Sequence, residues 1–99
     1  MLNVLHLIFQ SPIEAAVLER VESGDVVVFL ENAVLSILQN SIISDALTRH
    51  LGSNCLYVLS DDIAIRGIAP NELVKGLEVI DHAGLVDLTV DNQAIQSWT

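Results

Sequence analysis

A single cysteine, Cys55, is all the thiol this chain holds, so no internal disulfide can form and a reducing compartment is the expected setting. Basic residues are almost as scarce: Arg20, Arg49, Arg66 and Lys75 stand apart in a chain of net charge −9. A surface that grips phosphates needs clustered Lys and Arg, so no direct nucleic-acid binding is expected. Glycine-rich phosphate loops are absent too, since SGD, LGS, RGI and KGL each hold one isolated glycine. No apolar run approaches the roughly 20 residues of a membrane span. The opening MLNVLHLIFQSP lacks a positive n-region and a small-residue cleavage site, so the expectation is a cytoplasmic protein with no membrane partner.

What the chain does have is apolar material. Hydrophobic residues make up 52% of its 99 residues and charged residues only 17%, against about 25% charged in an average soluble domain. One small domain spanning residues 1–99 has more of it than its own core comfortably holds. The surplus fits a parallel sheet buried on both faces, a subunit interface, or both.

Strand and helix signals alternate along the chain. MLNVLHLIF reads as a strand covered on both faces. In SPIE, Ser11 is placed to cap a helix, with Pro12 in its first turn and Glu14 completing a capping box. Ile13, Val17, Leu18 and Val21 make that helix's inward stripe, and Gly24 is its predicted stop. Residues 26–30 form a second buried strand, followed by a helical stretch from ENAVLSIL that loosens around Gln39, Asn40 and Ser41. SDALTRHLGS resumes helix and closes at Gly52. A third strand, Cys55–Leu59, runs into a short helix that Ser60 or Asp61 can cap and Gly67 terminates. After Pro70 and Asn71 come a weak helix, a short strand at LEVID, a helix over residues 82–90 and the terminal segment AIQSW. The alternation predicts an α/β fold, a mainly parallel sheet with helices on both faces.

Candidate chemical groups are few. Cys55 begins the third strand with no Lys or Arg beside it, which fits a packed, inert thiol better than a thiolate. His6, His50 and His82 share no metal-like spacing with it, so no metal or other cofactor is expected. His6, inside an apolar strand, reads as a hydrogen-bonded core or interface residue, and His50 suits a helix C-terminus. His82 follows Asp81 at a helix start; an acid–base role there needs a partner the sequence does not identify. Asp61 and Asp62 sit where a strand ends, as acid–base or metal-binding pairs do, yet one can equally cap the helix while the other favours its positive end. Arg66 reads as a last-turn cation before Gly67. Within residues 33–43, Val34, Leu35, Ile37, Leu38, Ile42 and Ile43 supply more apolar positions than one helix face uses, and they are the candidate interface.

Taken in order, MLNVLH with SP soon after, GDVVVFLENAV, LYVLSDDIAIRGI, VIDHAGLVDLTV and the terminal QSW resemble the TusB/DsrH family of sulfur-relay proteins over nearly the whole chain. The resemblance implies a three-layer α/β/α sandwich around a five-stranded, mostly parallel sheet of the DsrEFH-like kind. It implies partners as well: TusC/DsrF-like and TusD/DsrE-like subunits in a complex with two of each, linked indirectly to a TusE/DsrC-like sulfur acceptor. In the sister subunit of the TusD/DsrE type a persulfide cysteine follows the third strand, in a segment shaped like strand, cysteine, small helix, Arg-Gly. Laid on LYVLSDDIAIRG, that cysteine falls at Leu59. The first helix, IEAAVLERVES, also lacks the cysteine that some DsrH members carry there. The expected role is therefore a non-catalytic subunit supporting 2-thiouridine formation at tRNA wobble positions. The alternatives are a DsrH-type subunit in sulfur oxidation, a stand-alone sulfurtransferase using Cys55, or a small-molecule binding module built on Asp61 and Asp62.

Overall fold

The computed structural model describes residues 3–92 and 94–99. Met1 and Leu2 of the opening apolar run lie outside the described residues. Five strands, β1 (Val4–Ile8), β2 (Val26–Phe29), β3 (Cys55–Leu59), β4 (Glu78–Ile80) and β5 (Ala94–Trp98), form one sheet in the order β4-β3-β2-β1-β5. Every neighbouring pair is parallel. The helices are α1 (Ala15–Glu19), α2 (Ser44–His50), α3 (Ser60–Ile65) and α4 (His82–Asp91), with 3-10 turns at Glu31–Ser36 and Pro70–Glu72.

The strand order follows from the handedness of parallel crossovers. From β1 to β4 each strand is laid on the same side of its predecessor, so the right-handed rule sends every connection over one face. From β4 the chain returns across the whole sheet to β5, and reversing direction sends α4 over the opposite face. Two apolar layers result. On the first face Ile8, Val27, Phe29, Leu56 and Val58 meet Leu18, Val34, Ile37, Leu47 and Ile63. On the second, Leu5, Val28, Leu30 and Leu59 pack with Leu7, Phe9, Val26, Tyr57 and Ile80 and, from α4, with Leu85 and Leu88, none of these seven fully buried. The first layer is the main core and the second is thin.

Local signals yield to tertiary ones at two helix starts. Helix α1 begins at Ala15 with Glu14 as its N-cap residue, and no side chain caps it. Ser11 is turned away to share a 2.6 Å hydrogen bond with Ser36, so the capping box read from SPIE does not form. The helix also stops at Glu19, well before Gly24, which instead takes a left-handed φ of +90° in the turn before β2. Helix α3 likewise has no side-chain cap from Ser60 or Asp61. Its N-cap position is Leu59, whose isobutyl group has no acceptor to offer.

Candidate functional site

In an open α/β sheet, ligands gather at the carboxyl ends of two adjacent strands whose connections leave toward opposite faces. Here that condition is met between β3, which feeds α3, and β4, which feeds α4. The crest therefore consists of Leu59, Ser60, Asp61 and Asp62 on one side, and Ile80, Asp81 and His82 on the other.

The adjacency of β3 and β4, with Leu59 in register opposite Ile80, brings together two residues 21 positions apart. His82 Nε2 lies 3.0 Å from Asp61 Oδ2, and both side chains are more than 60% exposed. This supplies the partner for His82 that sequence reasoning missed; the signal available was only that both residues follow strand ends. Asp81 accepts a 2.8 Å bond from the Gly84 N–H and is the N-cap of α4. Asp62 has a structural task. Its carboxylate accepts the Glu31 N–H at 2.8 Å, holding a residue with a left-handed φ of +50°. Arg66 closes the same tie, donating to the Asp62 carbonyl at 3.1 Å and to Asn32 Oδ1 at 2.9 Å. Gly67, with φ +69°, then ends the turn. Asp61 and Asp62 thus point to different duties and do not act as a pair. Among the described residues no group of three or more His, Cys, Asp or Glu is arranged to hold a metal ion.

Among the crest residues 59–62 and 80–82 there is no cysteine. Leu59 is 4% exposed and packed into the second apolar layer. Cys55 sits at the other end of β3, four residues and about 13 Å away along the strand. The expectation of a packed thiol is corrected here, because Cys55 is exposed. The reason is the short edge strand: β4 begins its pairing at Tyr57, so nothing flanks Cys55 on that side. Burial, then the neighbouring Cys55 and Glu78, push the Tyr57 phenol above its ordinary value.

Residues 33–43 divide sharply. Val34 and Ile37 are fully buried in the main core, so these two interface candidates are withdrawn from the surface. The first part of the segment belongs to the 3-10 turn Glu31–Ser36 with Ile37 as its C-cap, which sends Val34 and Ile37, three residues apart, inward together. Leu38 and Ile43 are partly buried against the same core. Leu35 is half exposed and Ile42 projects fully into solvent. These two flank a cleft of about 310 Å³ with Pro12, Ile13 and Ile43. Ser41 also lines it, and its Oγ has no hydrogen-bond partner among the described residues.

The architecture defines a class: a parallel α/β domain whose switch-point crest carries Leu59, Ser60, Asp61 and Asp62 and no thiol. Residues 9–95 match the family model of DsrH like protein. The chain is 31% identical over 98 residues to Protein TusB of Buchnera aphidicola subsp. Baizongia pistaciae, covering 96% of this chain and all of that one. It is 32% identical over 84 residues to Protein TusB of Yersinia enterocolitica, covering 85% of each. The chain belongs to the TusB/DsrH family of sulfur-relay proteins. Two solved structures share its fold. One is the protein of unknown function MTH1491 from Methanobacterium thermoautotrophicum, with a TM-score of 0.77, 17% identity and 97% of both chains covered. The other is the ychN protein from E. coli, with a TM-score of 0.78, 15% identity, and 99% of this chain and all of that one covered. No described helix is long and apolar enough to cross a membrane.

Proposed function

We propose that this chain is a non-catalytic subunit of a cytoplasmic sulfur-transfer complex that supports 2-thiouridine formation at tRNA wobble positions. Its partners are a TusC/DsrF-like and a TusD/DsrE-like subunit, two of each, and the complex passes sulfur to a TusE/DsrC-like acceptor. The observation that carries this reading is Leu59: a buried aliphatic side chain stands at the crest position where the sulfur-carrying sister subunit has its cysteine. Cys55 does not replace it, being at the opposite end of the strand with no cation beside it. The relatives of the TusB type favour the tRNA branch over sulfur oxidation.

Assembly is assigned to the cleft between Leu35 and Ile42. An isoleucine wholly in solvent beside an apolar groove is an arrangement that association covers. The unpartnered Ser41 hydroxyl is one more group that a neighbour would satisfy. The test is co-purification with the two sister subunits. Ile42→Asp should keep the circular dichroism spectrum of the parent and lose the partners, because it places an unpaired charge in the contact. Val34→Asp should unfold the chain. Full recovery of the complex with a folded Ile42→Asp and a folded Leu35→Asp refutes the assignment of the contact. Sulfane sulfur found by cyanide release on the isolated chain after incubation with polysulfide, which transfers zero-valent sulfur to a thiol and leaves a polysulfide one sulfur shorter, and lost in Cys55→Ser, refutes the non-catalytic role.

A further inference from the structure

One edge strand of the sheet carries an aromatic group bonded to the buried face of its neighbour. Strand β5 is an edge strand, bonded only to β1, and its three middle residues are exposed. Its inward anchor is Trp98, whose indole Nε1 lies 3.1 Å from His6 Nδ1, across 92 residues of sequence. His6 is 3% exposed, and its other ring nitrogen, Nε2, lies 2.9 Å from Asp25 Oδ2.

The proton positions follow from the donor inventory. An indole N–H only donates, so His6 Nδ1 must accept; Nε2 then carries the ring's one proton and donates to Asp25. The Trp98 bond therefore requires a neutral His6. The two rings are near parallel, 14° apart, with centroids separated by 6.2 Å. They meet through the in-plane N–H and not face to face, so a cationic imidazole would gain no indole face to rest on. A second ring proton would point at the indole N–H with no acceptor between them.

Asp25 keeps its charge while this happens. Burial pushes its carboxyl up, but the N–H donors of Val4, His6 and Glu22 outweigh burial and leave it below its ordinary value. An ionised Asp25 continues to hold a protonated ring through Nε2, so the bond that gives way is the one to Trp98. Asp25, from the turn before β2, is the charged side chain bonded to His6 among the described residues. From β5 the facing groups are Trp98 and the register partner Gln96, neither of which titrates in this range. From the α1 side, Glu14 and Arg20 line the cleft beside Trp98, and Glu22 offers only its backbone N–H.

We infer that His6 is an acid-operated latch on the C-terminal edge strand: protonation of its ring releases Trp98 and frees β5 from β1 while Asp25 and the rest of the sheet stay in place. Release would uncover the β1 edge and open the cleft of about 250 Å³ that Trp98 lines with Gln10, Ile13, Val17 and Arg20.

The experiment uses the full chain and its only tryptophan. Between about pH 7.5 and 5.5, the range in which histidines titrate, Trp98 emission should shift to the red and acrylamide quenching should rise. Amide exchange in residues 94–98, corrected for intrinsic rates, should rise about tenfold or more, while the far-ultraviolet dichroism of the helices holds. Imidazole NMR signals report when His6 gains its proton, and the emission and exchange changes should follow that step. His6→Gln keeps one acceptor and one donor without titrating, and should abolish the acid response. Trp98→Phe removes the opposing donor, and exchange in residues 94–98 should then lose its pH dependence whether or not His6→Gln folds. A His6 that stays neutral until the whole chain unfolds overturns the latch. So does an acid response that survives in either folded variant.

Discussion

Asp25 offers the most decisive perturbation of the fold, because one side chain accepts three hydrogen bonds that tie β1 to the turn before β2. Its Oδ1 accepts the Val4 N–H at 2.9 Å, and its Oδ2 accepts the Glu22 N–H at 3.0 Å and the His6 ring at 2.9 Å. Those donors belong to β1 and to the turn that enters β2. In Asp25→Ala all three lose a charged acceptor. A buried donor left unsatisfied costs roughly 1–3 kcal/mol; taking the upper part of that range for the buried His6 and the lower for the part-buried N–H groups gives about 4 kcal/mol. That is a large share of the 5–15 kcal/mol that a domain typically has. With a urea slope of about 1–2 kcal/mol/M, the unfolding midpoint should fall by roughly 2–4 M. Asp25→Asn keeps one oxygen and should fall about half as far.

The pH dependence has a definite sign. A carboxyl held below its ordinary value in the folded state stabilises the fold above the unfolded value of 3.8, and that contribution disappears as pH falls through the lower folded value. The parent should therefore lose stability more steeply than Asp25→Asn below pH 3.8. The assay is urea unfolding followed by Trp98 emission and dichroism, repeated at several pH values. A midpoint shift under about 0.5 M for Asp25→Ala, with an unchanged slope, refutes the reasoning.

Gly76 has φ +101°, and a Cβ there would lie 2.7 Å from Leu51 Cδ1, so Gly76→Ala should cost about 1–3 kcal/mol in chemical unfolding. Gly67→Ala, at φ +69° with open space around the new Cβ, should cost only the left-handed backbone term of about 1–2 kcal/mol. Cys55→Ala, at an exposed position, should leave the melting temperature, co-purification and tRNA thiolation unchanged; a folded variant that assembles and does not support thiolation would give Cys55 a role in transfer. The His82–Asp61 pair is mostly exposed, so His82→Ala should change stability by less than about 0.5 kcal/mol.

The buried strands are legible in local composition. Cys55–Leu59 is strand at the bounds its apolar run implies and LEVID contains the strand read from it, whereas AIQSW, read only as a terminal segment, is strand throughout. Alternation of strand and helix, with the right-handed crossover rule, was enough for a parallel sheet covered on both faces. What the sequence could not carry was anything decided by non-local geometry. Ser11 has the chemistry of a cap, but Ser36, 25 residues on, takes its hydroxyl. The apolar stretch at residues 33–43 shows no periodicity that separates buried Val34 and Ile37 from exposed Leu35 and Ile42; its 3-10 winding against the core made that division. Cys55 is exposed because an edge strand three residues long stops short of it. His82 meets Asp61, and Trp98 meets His6, only because strand order puts β4 beside β3 and β5 beside β1. Local sequence sets the backbone state of a segment through sterics and side-chain burial, whereas strand neighbours and side-chain partners are chosen by how the whole sheet closes its apolar faces.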